Sequence, residues 1–131
     1  MKHATLRIAR PTDHLDHLVA QYQEGLGLER LGGFEGHDGY DGVMLGYPGL
    51  PWHLEFTSNG DHKVGRAPTE DNLLVFYIED SAELQSACER MVRSTFTSVP
   101  SLNSYWDKVG LTFEDFDGYR VVLVHGTWPQ P

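Results

Sequence analysis

Three groups of side chains in this sequence are of a type and spacing that could do chemistry. His53 and Glu55 stand two apart in Trp52-His53-Leu54-Glu55-Phe56, which on an extended strand places both on one side. Together they could pass a proton or give two ligands to a metal, and either use needs partners from another strand. The bland alternative is a pair of hydrogen-bonded structural groups. Arg10 and Arg120 each carry a guanidinium suited to a carboxylate or phosphate by paired N–H donors, or to an ion pair with Glu55. Tyr105 and Trp106, between Asn103 and Asp107, offer flat faces that stack on a planar ligand, lid a cavity, or cover the end of a core.

Other candidates carry less. His14 and His17 are three apart in a first helical turn, where the positive helix end disfavours a cation. His3, His37, His62 and His125 show no useful spacing. Cys88 falls on an apolar helical stripe and reads as a core residue, not a nucleophile. No glycine-rich string follows a strand and opens a helix, so no nucleotide cradle is expected.

The elements that must position these residues follow from periodicity. Ala4 to Arg10 reads as a strand ending at Pro11. Leu15, Leu18, Val19, Tyr22 and Leu26 follow one helix face, with Thr12 or Asp13 as N-cap and Gly25 or Gly27 as the stop. Leu28 to Gly36, Tyr40 to Tyr47 and Trp52 to Thr57 are strand-like. Ser58 to Asn72 lacks periodicity and reads as a surface connection. The order then recurs. Leu73 to Ile78 is a strand, and Asp80 with Glu83 opens a helix along Leu84, Ala87, Cys88, Met91 and Val92. Thr95 to Val99, Val109 to Phe113 and Tyr119 to Val124 are strands, the last two joined through Asp-Phe-Asp-Gly at Asp115 to Gly118. The helix starts Asp13 and Asp80 lie roughly 67 residues apart and the stripes at Leu15 and Leu84 roughly 69, which marks one supersecondary unit used twice. One domain over residues 1–131 is expected, with modules of about 1–58 and 72–131 joined by 59–71.

Ten Lys and Arg against nineteen Asp and Glu give a net charge of -9, so nucleic acid and anionic membranes are excluded as expected partners. The longest apolar run, Leu73 to Ile78, is far shorter than a membrane span, and a cytoplasmic protein is expected. The single cysteine, Cys88, rules out an internal disulfide and a zinc site built on several thiolates.

Two β-α-β-β-β modules in one short chain resemble the vicinal oxygen chelate superfamily, which includes glyoxalase I, extradiol dioxygenases and bleomycin resistance proteins. The resemblance covers nearly the whole chain and is similar to uncharacterised small bacterial members. It is carried by the first strand running into a Thr-Asp helix start, by Gly25-Leu26-Gly27-Leu28, by Trp52 to Phe56, and by Thr112-Phe113-Glu114-Asp115-Phe116-Asp117-Gly118-Tyr119. It implies an α+β fold with two β-α-β-β-β modules forming one cupped eight-stranded mixed sheet, helices outside. Metal-binding members place ligands on the first, fourth, fifth and eighth strands. Here those positions fall at Leu6, Glu55, Leu73 and Val122, or at Ile8 and Val75 if the register shifts by two. One carboxylate cannot hold a divalent cation, so no metal and no cofactor are expected.

Residues of the cup-facing parity are then Arg10, His53, Glu55, Tyr77, Arg120 and Val122. With Tyr105 and Trp106 at the rim, the expected ligand-binding set is Arg10, His53, Glu55, Tyr77, Tyr105, Trp106 and Arg120. The function this implies is metal-independent binding or sequestration of a small organic ligand, in a homodimer as many superfamily members form. The alternative is a superfamily enzyme, a glyoxalase-like lyase or isomerase or a dioxygenase, using Glu55 and His53 with or without a divalent metal. A third reading has the sheet and arms serve mainly a homodimer.

Overall fold

The structure, a computed structural model, describes residues 1–129. The chain divides into two compact units, residues 1–23 with 27–65, and 24–26 with residues from Arg66 onward. The first unit contains β1 (Leu6–Pro11), α1 (Leu15–Leu26, whose last turn belongs to the second unit), β2 (Glu29–His37), β3 (Tyr40–Gly46) and β4 (Trp52–Ser58). Its sheet has the order β1-β4-β3-β2, with β1 parallel to β4 and the other pairs antiparallel.

One face of this sheet is its core. Val43 and Leu45 on β3 and Leu54 and Phe56 on β4 are buried, as are Leu18 and Tyr22 of α1. The Tyr22 and Phe56 rings meet at 4.9 Å. Each such side chain contributes about 1.5–3 kcal/mol by leaving water, which fixes the strand register, since a slip of one residue would turn this set outward. The start of α1 departs from expectation. Its N-cap is His14, with no side-chain cap. Thr12 Oγ1 accepts from the His14 N–H at 2.9 Å, and the Asp13 carboxylate is taken by a distant loop, so neither caps the helix. The helix ends as expected, with Gly27 left-handed at φ 69°.

The second unit contains β5 (Leu73–Ile78), α2 (Ser81–Arg93), β6 (Thr97–Val99), α3 (Tyr105–Val109), β7 (Gly110–Glu114) and β8 (Arg120–His125). Its sheet repeats the first order as β5-β8-β7-β6, with β5 parallel to β8. The Asp80 carboxylate accepts from the Glu83 N–H at 2.8 Å, satisfying one of the free amides that every helix start exposes. The buried residues of α2 are Ala87 and Met91. Cys88 is only half-buried and Val92 is 70% exposed, which corrects the reading of Cys88 as core: one step along a helix turns a side chain about 100° away from the packed line. The hairpin turn before β8 is in place, with Asp115 Oδ1 accepting from the N–H groups of Asp117 and Tyr119.

The fold is therefore α+β and built of two β-α-β-β-β modules, the second with the extra turn α3. The eight strands fall four and four into two hydrogen-bonded sheets. The parallel ladders β1/β4 and β5/β8 each hold six register pairs, so their positions correspond one to one. Among the described residues no helix is long and apolar enough to cross a membrane.

Candidate functional site

The face of the first sheet opposite its core carries the polar groups. In-register neighbours on adjacent strands share a face, and β1 pairs with β4 as Arg7 with His53 and Ala9 with Glu55. Three side chains meet as a result. Arg7 Nε donates to His53 Nε2 at 2.9 Å, and Arg7 Nη1 donates to Glu55 Oε2 at 3.1 Å. Because a guanidinium only donates, His53 Nε2 is an acceptor here, and the neutral imidazole carries its proton on Nδ1. The Glu55 side chain is 12% exposed and that of Arg7 is 48% exposed, so the carboxylate is largely shielded while the arginine stays half open to solvent. Met44 stands beside Glu55 on β3. A methyl group added at Gly46 would lie 3.1 Å from both His53 and Leu31, so the glycine leaves space between them.

The same row on β4 continues from His53 and Glu55 to Thr57, which lines a cavity of about 310 Å³ with Pro11, Thr12, Tyr40, Asn59, His62 and Val64. One wall is the loop after β4, and Asp13 fastens it: Oδ1 accepts from the Val64 N–H at 3.0 Å and Oδ2 from the Gly65 N–H at 2.9 Å. These two bonds, that to Gly65 foremost, hold the Asp13 carboxyl below its ordinary pKa. A phenol, an amide, an imidazole and two hydroxyls thus border a recess adjoining an ion-paired carboxylate.

The expected residues distribute unevenly. His53 and Glu55 come together, but Arg10 is not with them. It is buried on the opposite face, Nη1 donating to the Tyr22 hydroxyl at 3.4 Å. The parallel register explains the correction: odd residues of β1 share the face of odd residues of β4, and Leu6, Ile8 and Arg10 share that of Leu54 and Phe56. The guanidinium beside Glu55 is that of Arg7, which the sequence reading passed over because Leu6 and Ile8 looked like cavity wall. Leu6 is in fact 57% exposed. Tyr40, Asn59 and His62 were also missed, because only the fold joins the start of β3 to the loop after β4.

The remaining candidates lie in the second unit. Arg120 is buried and held by Glu114 Oε2 at 3.0 Å, by Glu70 at 3.6 Å and by the Pro100 carbonyl at 3.1 Å. This cation is spent on tying the connection before β5 to the β7–β8 hairpin. Val122 sits beside it on β8, in register with Val75. Tyr77 and Tyr105 line one slot of about 160 Å³ with Val109, Val124, His125 and Trp128, and Trp106 braces Tyr105 edge-on at 5.1 Å. Burial pushes the Cys88 thiol above its ordinary pKa, which leaves it protonated and unreactive near neutrality.

A divalent metal does not fit the donors at the polar trio. Its carboxylate is paired to a guanidinium and its imidazole offers Nε2 to the same group. Among the described residues no three His, Cys, Asp or Glu side chains converge to hold a metal ion.

Comparison with known proteins places both modules. Residues 6–57 match the model of the YycE-like N-terminal domain and residues 71–125 that of the YycE-like C-terminal domain. The uncharacterized protein YycE of Bacillus subtilis (strain 168) is 43% identical over 122 residues, covering 93% of this chain and 88% of that protein. A crystal structure of a Bacillus subtilis YycE protein of unknown function superposes with a TM-score of 0.87 at 42% identity, covering 97% and 93% of the two chains. Leishmania major glyoxalase I shares the fold at a TM-score of 0.70 and 21% identity, over 92% of this chain and 85% of that one.

Proposed function

The chain belongs to the YycE-like family, within the vicinal oxygen chelate superfamily, and from that premise we propose that it binds a small organic anion without a divalent metal. The observation that carries this reading is the Arg7 guanidinium, clamped by His53 and Glu55 while about half of the Arg7 side chain stays exposed. Where a superfamily metal would supply positive charge, this chain supplies its own. Glu55 and His53 act as positioning residues: they spend two N–H donors of Arg7 and hold the rest in a fixed plane for the carboxylate or phosphonate of a ligand. The adjoining recess of Tyr40, Asn59 and His62 takes the body of that ligand. An enzyme moving protons between His53 and Glu55 is the alternative, and it requires Arg7 to release His53 Nε2 before the imidazole can act as a base.

The test is a thermal-shift screen of small carboxylates and phosphonates on chelator-free protein, paired with metal analysis after exposure to Zn, Mn, Ni and Fe(II). A hit is expected to raise the melting temperature in a concentration-dependent way and to lose that effect in Arg7→Ala, with metal well under one mole per chain. About one metal per chain that disappears in Glu55→Ala would overturn the proposal.

A further inference from the structure

We propose that the aromatic slot of the second unit is a separate binding site for a methylated ammonium cation. Three large aromatic side chains surround it with unusual exposure: Tyr77 at 38%, Tyr105 at 54% and Trp128 at 74%. A single exposed aromatic needs no explanation, but three around one recess do. The slot is also held in shape. The Gly126 N–H donates to the Ile78 carbonyl at 2.9 Å, and a His125 ring nitrogen bonds the Glu79 carbonyl at 3.0 Å. These bonds return the chain after β8 alongside the end of β5, bringing Trp128 to 6.3 Å from Tyr77, tilted by 39°. Trp106 fixes the third ring edge-on. Val109 and Val124 complete the lining.

The chemistry of the lining selects the occupant. An anion finds no Lys or Arg among the lining residues, and the chain carries a net charge of -9. His125 is engaged: the Glu79 carbonyl can only accept, so the bonded ring nitrogen carries a proton. A compact, strongly hydrated cation such as Na⁺ or a primary ammonium is best held by carboxylate oxygens, and no Asp or Glu is among the lining residues. A cation without N–H donors gives up little hydration and gains the attraction of the aromatic side chains that line the slot, the chemistry by which aromatic cages hold quaternary ammonium groups.

The experiment titrates the full chain with choline chloride, following the choline methyl resonance and tryptophan fluorescence, with NaCl at matched ionic strength and the neutral carbon isostere 3,3-dimethylbutan-1-ol as controls. The expected result is saturable binding of choline in the millimolar range, with an upfield ring-current shift of its methyls. Trp128→Ala and Tyr105→Ala should each weaken it by about fivefold or more, in line with one lost cation–aromatic contact. Both side chains are exposed, so both variants should keep the wild-type circular dichroism. Equal affinity for 3,3-dimethylbutan-1-ol would overturn the assignment in favour of an apolar slot for neutral ligands. Absence of saturation, or binding unchanged in both variants, would equally refute it. Arg7→Ala should leave choline binding intact, which separates this site from the one in the first unit.

Discussion

Arg7 and Arg10 stand three residues apart on one strand and do opposite work. Arg10 is buried against Tyr22, so Arg10→Ala removes a donor from the Tyr22 hydroxyl and empties core space. A loss of about 1–3 kcal/mol in urea denaturation is expected, with ligand-induced stabilisation retained. Arg7 is half exposed but its partner Glu55 is only 12% exposed, so Arg7→Ala should cost about 1–3 kcal/mol as well and, unlike Arg10→Ala, abolish that stabilisation. The reverse pattern would move the site to the other face of the sheet. Asp13 supplies a pH test. Its carboxyl is held below its ordinary pKa by the Gly65 and Val64 amides, so its contribution is fully present above the usual carboxylate range and is lost as pH falls through the folded value. Comparing wild type with Asp13→Asn, the stability difference should be clear at about pH 6 and shrink steadily below about pH 4. A difference constant across that range would show that the carboxylate charge is not what fastens the loop. Of the site, His53 and Glu55 were legible because a spacing of two on a strand needs no tertiary knowledge. Arg7 was not, because its place depends on how β1 registers against β4, and nothing local encodes that.

The same divide runs through the elements. Both long helices could be read from their stripes, and α2 also from its cap. Asp80→Ala should cost about 1 kcal/mol, since it frees the Glu83 amide, whereas His14→Ala at the start of α1 should cost far less, there being no side-chain cap to lose. Equal losses in the two variants, measured by thermal or urea unfolding, would sink that distinction. The short helix α3 escaped the sequence reading because five residues are too few to show a period. Its signals are local polar bonds: Asn103 Oδ1 accepts from the Tyr105 N–H, and Asp107 Oδ1 from the Ser101 N–H. From the sequence, Tyr105 and Trp106 are a lid, a stacking face for a planar ligand or a core cover. On α3, Trp106 braces Tyr105, which faces the slot.

At the scale of the chain, neither half of about 60 residues would bury enough surface to be securely stable by itself, and α1 is shared between the units at Glu24. We therefore predict a single cooperative transition, seen as coincident curves by far-ultraviolet circular dichroism and tryptophan fluorescence. Two separated transitions would refute it. The duplicated order of strands was legible from the recurring pattern, while the division of eight strands into two four-stranded sheets was not, because hydrogen bonding between strands distant in sequence leaves no periodic trace. That duplication also gives the molecule an internal blank. The two parallel ladders correspond pair by pair, so the places held by Arg7, His53 and Glu55 in the first are held by Leu74, Val121 and Leu123 in the second. One ladder carries charge at these places and the other only hydrocarbon, so a probe that answers to the charges in the first has nothing to answer to at the matching places in the second.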